Sequence, residues 1–135
     1  MFEHLTEAEG RVAAGICFDF LKPGGFLRVA VPDAFFPDPT YQAGVQVGGP
    51  GPADHPAADH KIVYDHERLT AVLASAGFAV SLLEYCDRAG QFHYHAWDPA
   101  SGPVYRSLKL DHRNRDGRLG FVSLIADAVK PLTAS

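Results

Sequence analysis

The sequence predicts an α/β fold. Three observations carry that reading: a capped helix that stops at a Pro-Gly-Gly turn, a short apolar strand directly after it, and a second helix that passes through a lone glycine into another strand. Helix, tight turn and strand in succession usually belong to a mainly parallel sheet.

Thr6 and Glu9 have the spacing of a capping box, in which each side chain satisfies an orphan N–H at the helix start. Leu5 stands where a hydrophobic staple residue would. Val12, Ile16 and Phe20 recur every four residues with Ala13 and Cys17 beside them, which predicts that this face covers the sheet. Gly24 is expected to hold the left-handed turn that ends the helix. Residues 25–31 are rich in β-formers and closed by Pro32-Asp33, which reads as a strand.

The character then changes. Six of the ten prolines lie between 32 and 56, with Gly44, Gly48, Gly49 and Gly51 among them. Residues 33–61 read as a long loop with short turns at most, and loops of that length in compact domains are usually functional or disordered. Asp65 is a plausible cap for the second helix, whose Leu69, Val72, Leu73 and Ala76 follow the helical period up to Gly77. Residues 78–85 read as the next strand and 87–90 as a turn. Residues 91–96 and 104–110 flank Asp98-Pro99 and Gly102-Pro103, so they predict a β-hairpin inserted within 86–119. Residues 111–118 are very polar, and the apolar run 120–129 is the expected last strand. The 135 residues are expected to form one domain, 1–135.

Twelve Lys and Arg against sixteen Asp and Glu leave a formal net charge of −4, which argues against a nucleic-acid partner. An apolar content of 47% excludes wholesale disorder. No apolar run approaches the roughly 18–20 residues of a membrane helix. The first ten residues carry Glu3, Glu7 and Glu9 without an apolar core, so they read as no targeting peptide, and cytoplasm is the expected location. Cys17 and Cys86 sit among apolar neighbours and are expected to be reduced residues in or near the core. His55, His60 and His66, with Asp54, Asp59 and Asp65, are spaced too loosely for a rigid metal-ligand set, so no metal is expected. His93 and His95 alternate on one strand face, and a polar sheet face explains them.

The order of helix, Leu21-Lys22-Pro23-Gly24-Gly25, strand ending in Val31-Pro32-Asp33, helix, Ala76-Gly77-Phe78 and strand resembles the C-terminal half of a class I S-adenosylmethionine-dependent methyltransferase. A narrower similarity is to the predicted bacterial methyltransferases of that class (methyltransferase type 11-like). It is carried by Glu3-His4-Leu5, Asp59-His60-Lys61, Leu83-Glu84-Tyr85, Phe92, Trp97-Asp98, Arg106-Ser107, Asp111-His112-Arg113-Asn114 and residues 123–130. The resemblance implies a partial Rossmann-like fold in which the 25–31 strand pairs with an antiparallel last strand, which in turn pairs with the 78–85 strand. It implies that Glu3 and His4 border the cofactor and the methyl-transfer pocket. The 33–61 loop would lie over that pocket as a lid with His60 and Tyr64 at its return, so His4, His60 and Tyr64 are the catalytic candidates. Asp33, Arg106, Asp111, Arg113 and Asn114 are the candidate substrate-binding residues. The arginines have a second reading from the residues alone: bidentate pairing with Glu84, Asp98 or Asp111 inside the fold.

The implied cofactor is S-adenosylmethionine and the implied partner a small methyl acceptor. The 135 residues hold no strand–Gly-x-Gly–helix unit, and Gly44 to Gly51 follow no strand and open no helix. Weak or absent cofactor binding is therefore expected for this chain alone. The resemblance begins at the end of that fold's fourth strand, which implies a shortened gene product, a start placed too late, or a second chain supplying the first half. The alternative reading is a non-catalytic interaction module; a small His-rich metal protein is a distant third. With no neighbour beside it, the 25–31 strand is expected to offer an edge for a homo-oligomer or a partner chain.

Overall fold

A computed structural model describes residues 2–114 and 119–132. Its elements are a helix α1 (Glu7–Phe20), a strand β1 (Phe26–Val31), a short helix α2 (Pro39–Val45), a helix α3 (His66–Ser75), and strands β2 (Ala79–Cys86), β3 (Phe92–Tyr94) and β4 (Leu124–Val129), with short 3-10 turns at Phe2–His4, Pro99–Ser101 and His112–Asn114. The fold is α/β: one four-stranded open sheet, order β1-β4-β2-β3, and three helices. Every ladder in it is antiparallel. This corrects the mainly parallel sheet expected from the helix–turn–strand succession. β1 and β2 do run in the same direction, but the last strand inserts between them and takes the ladders of both.

The helix starts form as their sequences dictate. The Thr6 N–H donates to Glu9 Oε1 at 2.9 Å, and the Glu9 N–H donates to Thr6 Oγ1 at 3.2 Å. Asp65 Oδ1 takes the Arg68 N–H at 2.8 Å and opens α3. Gly24 turns the chain out of α1 with φ +85°, a conformation that side chains with a Cβ disfavour.

The apolar stripe of α1 is corrected. Val12, Ile16 and Phe20 are 64%, 53% and 86% exposed. The buried flank is a different one: Gly10 and Ala14, with Ala13, Cys17 and Phe18 packed against the core. Small residues let the helix backbone come close. A Cβ on Gly10 would stand 3.0 Å from the Tyr64 hydroxyl oxygen. The core on this sheet face joins Val29, Val31, Leu124 and Ala126 of the strands to Leu69, Val72 and Leu73 of α3. Full burial of each large aliphatic is worth about 1.5–3 kcal/mol.

The 33–61 segment is not loop throughout. α2 lies within it, capped by Asp38, whose Oδ1 accepts the Tyr41 N–H at 3.1 Å, with Pro39 in the first turn. Tyr41 and Val45 share its buried face. The segment closes where Asp33 and Tyr64 form a parallel bridge. Gly49 fits between backbones there: with φ +72°, a Cβ would stand 2.9 Å from the Ala57 carbonyl carbon and from the Ala58 nitrogen.

The expected hairpin of 91–96 with 104–110 is also corrected. Only Phe92–Tyr94 is a strand, and it pairs with β2. The backbone of 97–110 is tied to side chains instead. The Arg28 Nη1–H donates to the Asp98 and Gly102 carbonyls at 2.9 and 3.0 Å. The Glu84 carboxylate accepts the Trp97 Nε1–H and the Leu108 N–H, each at 2.8 Å. A bulge between Leu82 and Glu84 makes this possible. An extra residue reverses the alternation of faces, so Val80 and Leu82 face the helices while Glu84 turns to the opposite face. The last strand begins at Leu124 rather than 120, because Asn114 Oδ1 takes the N–H groups of Gly120 and Phe121 at 2.8 and 2.9 Å. The polar stretch expected at 111–118 is described as far as Asn114; 115–118 lie outside the described residues.

Two outcomes follow. Gly49→Ala is expected to cost about 2 kcal/mol or more, against about 1 kcal/mol for Gly48→Ala. Both have positive φ, but Gly48 has nothing within 4 Å of its Cβ position; urea midpoints of the two variants measure the difference. The second concerns Glu84. Burial holds its carboxyl above the ordinary 4.5, against the pull of the Leu108 and Trp97 hydrogen bonds. The folded state therefore keeps the proton at pH values where the unfolded chain has lost it. The Glu84 contribution is greatest in acid and falls as pH rises from 4.5 through the folded value. Glu84→Gln should flatten the fall of the urea midpoint over that window.

Candidate functional site

An open cleft of about 840 Å³ lies at the C-terminal end of β1. Ala30 and Pro32 contribute from that strand end, Tyr41, Gly44 and Val45 from α2, and Glu3 and His4 from the first 3-10 turn. His55 and His60 come from the segment before α3, and Arg106, Arg113 and Phe121 from the chain before β4.

The imidazoles are held from behind. His60 is buried, and its Nδ1 lies 2.7 Å from the Val45 carbonyl oxygen. A carbonyl only accepts, so Nδ1 carries the proton and Nε2 of the neutral ring keeps its lone pair. The His4 ring meets His60 edge-on, with centroids 4.9 Å apart. His4 stands between two carboxylates, Nε2 3.5 Å from Glu3 Oε1 and Nδ1 3.6 Å from Asp59 Oδ2. The Lys61 N–H donates to the Glu3 carbonyl at 2.7 Å and fastens the first turn to the 59–61 segment.

The cationic part of the lining is built on Phe121. The Arg113 guanidinium lies 3.7 Å from that ring's centroid and the Arg106 guanidinium 5.8 Å. Arg113 is neutralised in place, because Asp111 takes its Nε–H at 3.0 Å and its Nη2–H at 2.7 Å. That guanidinium holds the Asp111 carboxyl below the usual range, against its burial. Arg106 is exposed and has no carboxylate partner among the described residues.

Of the residues expected at a site, Glu3, His4, His60, Arg106 and Arg113 line the cleft; Asp33, Tyr64, Asp111 and Asn114 do not. Asp33 is fully buried, and its two oxygens accept the Cys86 N–H at 2.7 Å and the Phe35 N–H at 2.9 Å. Burial pushes the Asp33 carboxyl up, and burial with the Asp33 charge pushes the Cys86 thiol up to about 12. Tyr64 is fully buried in the helix-side core, its hydroxyl without a hydrogen-bond partner among the described residues. Asn114 holds backbone, as above, and donates to the Ser107 carbonyl at 3.3 Å. Tyr41 and Phe121 are among the lining residues that were not foreseen. Asp38-Pro39 followed by apolar residues four apart could have revealed the first; Phe121 carries no local signal.

Among the described residues no three His, Cys, Asp or Glu side chains group as metal ligands. His55 Nδ1 accepts the Ala57 N–H at 3.0 Å, and His66 packs edge-on against Phe35 and tilted against Tyr85. His93 stacks on Tyr85 at 4.8 Å and bonds Asp87 at 2.8 Å, while His95 bonds the Leu82 carbonyl. Cys17 and Cys86 are free thiols. No helix among the described residues is long and apolar enough to cross a membrane.

The glycine stretch and the carboxylate after β1 are both engaged inside the fold. In the 44–51 stretch the Gly48 N–H is taken by the His60 carbonyl at 3.0 Å and the Gly49 N–H by the Gln46 carbonyl at 2.8 Å. Neither is left to cradle a ligand. The carboxylate that follows β1, Asp33, is enclosed as described. The sequence matches no family model and no curated protein, and the fold matches no solved structure.

The Tyr41 hydroxyl sets the cleft wall. It accepts the Asp33 N–H at 2.9 Å and donates to the Val122 carbonyl at 2.7 Å, and burial pushes its phenol upward. Tyr41→Phe keeps the ring and leaves two buried backbone groups unpaired, so a loss of about 1–3 kcal/mol is expected. Urea denaturation measures it, with Tyr105→Phe at a 76% exposed position as the control expected to show no shift.

Proposed function

We propose that the chain is the acceptor-binding part of a class I methyltransferase-like protein, and that its cleft takes a small planar anion carrying the methyl-accepting atom. The observation that carries this reading is the cleft's position and chemistry together. It opens at the C-terminal end of β1, and it combines an imidazole held at Nδ1 with the Arg106 guanidinium, which has no carboxylate partner among the described residues. The ordered series of residues from Glu3 to Lys130 supports the same reading by its resemblance to that family. In it, Arg106 receives the anionic group, and the rings of Tyr41 and Phe121 offer apolar area. His60 Nε2 accepts the proton that the acceptor atom releases, with the Val45 carbonyl fixing the tautomer. S-adenosylmethionine would supply the methyl group, with Glu3 and His4 bordering it as the resemblance implies.

A second reading, a non-catalytic interaction module, is favoured by one observation, the outer edge of β1, which pairs with no strand among the described residues.

The probe is 4-hydroxybenzoate, a planar anion with an acceptor oxygen, titrated into the purified chain and followed by backbone amide shifts. Shifts are expected at Ala57, His60, Arg106 and Phe121. Arg106→Ala should weaken binding about tenfold, the worth of one charge-assisted hydrogen bond. No shifts at millimolar probe, or shifts unaffected by Arg106→Ala, would count against the cleft. Calorimetry with S-adenosylmethionine alone should show no saturable heat; a dissociation constant of about 1 μM, about −8 kcal/mol, would contradict the weak or absent binding expected for this chain alone.

A further inference from the structure

We propose that Glu84, on β2, is a positioning residue for Arg106: its carboxylate fixes the segment of chain that presents the guanidinium to the cleft. The inference rests on the reading of that cleft as an anion site.

Glu84 is fully buried, lines no part of the cleft and has no role in the proposed proton transfer. Its oxygens are divided between two donors of one segment. Oε2 takes the Trp97 Nε1–H and Oε1 the Leu108 N–H, each at 2.8 Å. Arg106 stands between those two points, two residues before Leu108. The first half of the segment has an anchor of its own, since Arg28 holds the Asp98 and Gly102 carbonyls. Beyond Gly102 the chain comes to the surface, where Pro103, Tyr105 and Arg106 are exposed. It returns at Ser107, which is fully buried. The Ser107 carbonyl accepts the Asp111 N–H at 3.0 Å and the Asn114 side-chain amide at 3.3 Å, both from the chain that follows. The tie from this return to β2 is the Leu108 N–H on Glu84. A cavity of about 40 Å³ lies beside it, lined by Glu84, Trp97, Ser107 and Lys109 among others. Close packing therefore does not hold the return in place by itself.

The charge on Glu84 decides whether both bonds hold. An ionised carboxylate only accepts, so it serves both N–H groups. A protonated one carries an O–H on one oxygen, and that oxygen then meets an N–H with a donor of its own. Gln at this position imposes the same conflict permanently. Burial raises the Glu84 carboxyl above 4.5, against the two hydrogen bonds and the Lys109 charge. The other groups around it do not add a net charge. Tyr94 stands opposite in β3 and Ile125 in β4, and beyond Trp97 the Arg28 guanidinium is paired with Asp127. The return at Ser107 and Leu108 is thus firmest when Glu84 is ionised, and Arg106 is seated with it.

Two measurements test this. In the first, 4-hydroxybenzoate is titrated at neutral pH into wild type, Glu84→Gln, Arg106→Ala and the double variant, followed by backbone amide shifts. Glu84→Gln is expected to weaken binding severalfold, within the loss of about tenfold for Arg106→Ala. The double variant should bind as Arg106→Ala does, because Glu84 acts through that guanidinium. Val72→Ala truncates the buried core beneath α3; it should lower stability and leave the affinity unchanged. Additive losses, an unchanged affinity in Glu84→Gln, or an equal loss in Val72→Ala overturns the proposal. The second measurement needs no ligand: the Leu108 and Arg106 amide shifts are followed as pH falls. Both should pass through one shared transition above 4.5 that Glu84→Gln abolishes. A Leu108 transition that Arg106 does not follow, or none at Leu108, overturns the proposal. If Glu84→Gln does not fold, Trp97→Phe replaces it. Loss of one donor to the carboxylate should move the shared transition to higher pH, and an unmoved transition overturns the proposal. A probe that fails to bind wild type counts against the anion site itself, and the pH series then decides the positioning alone.

Discussion

Asp33 is the joint on which the cleft depends. Its side chain holds the end of β2 through the Cys86 N–H and its own loop through the Phe35 N–H. Its backbone N–H goes to Tyr41 and its carbonyl to the Gln42 amide at 2.9 Å, which seats α2. Its bridge to Tyr64 closes the 33–61 excursion. Four elements that line or support the cleft therefore meet at one enclosed carboxylate. Desolvation opposes its ionisation, and two N–H donors work against that cost. A group so committed is a structural centre. The resemblance marked Asp33 as substrate-binding; the structure encloses its side chain away from solvent.

A second buried carboxylate organises the opposite sheet face in the same manner. The bulge in β2 turns Glu84 away from the helix-side core and toward Trp97 and Leu108. The 97–110 segment thus lies across the sheet without becoming a strand, and Arg28 completes its anchoring from β1. That segment delivers Arg106 to the cleft mouth. Arg106 has no carboxylate partner among the described residues there, while Arg113 beside it is paired with Asp111.

The α1 helix shows how two apolar flanks compete for one interface. The flank of Ala13, Ala14 and Cys17 is small, and close approach of the helix to Tyr64 needs Gly10. The larger residues Val12, Ile16 and Phe20 would hold the helix away from the sheet. Close approach at Gly10 and Ala14, with Phe18 set edge-on against Phe78, therefore wins over burial of the Val12, Ile16 and Phe20 stripe.

By itself the sequence determined the local events: the capping box at Thr6, the Asp65 cap, the left-handed turn at Gly24, and the places of α1, β1, α3 and β2. Each is decided by partners three or four residues away or by a single backbone conformation. The resemblance to a known family added the order in which the last strand pairs. Only the tertiary structure decided which flank of α1 is buried, that Glu84 changes face, that α2 forms inside a Pro/Gly-rich stretch, and that Glu3, His4, His60 and Arg106 share one cleft while Tyr64 and Asp33 do not. These outcomes rest on contacts such as Asp33 with Cys86 and Arg28 with Asp127, between side chains and backbone groups tens of residues apart. No periodicity encodes such pairs, because they exist only once the sheet has brought the strands together.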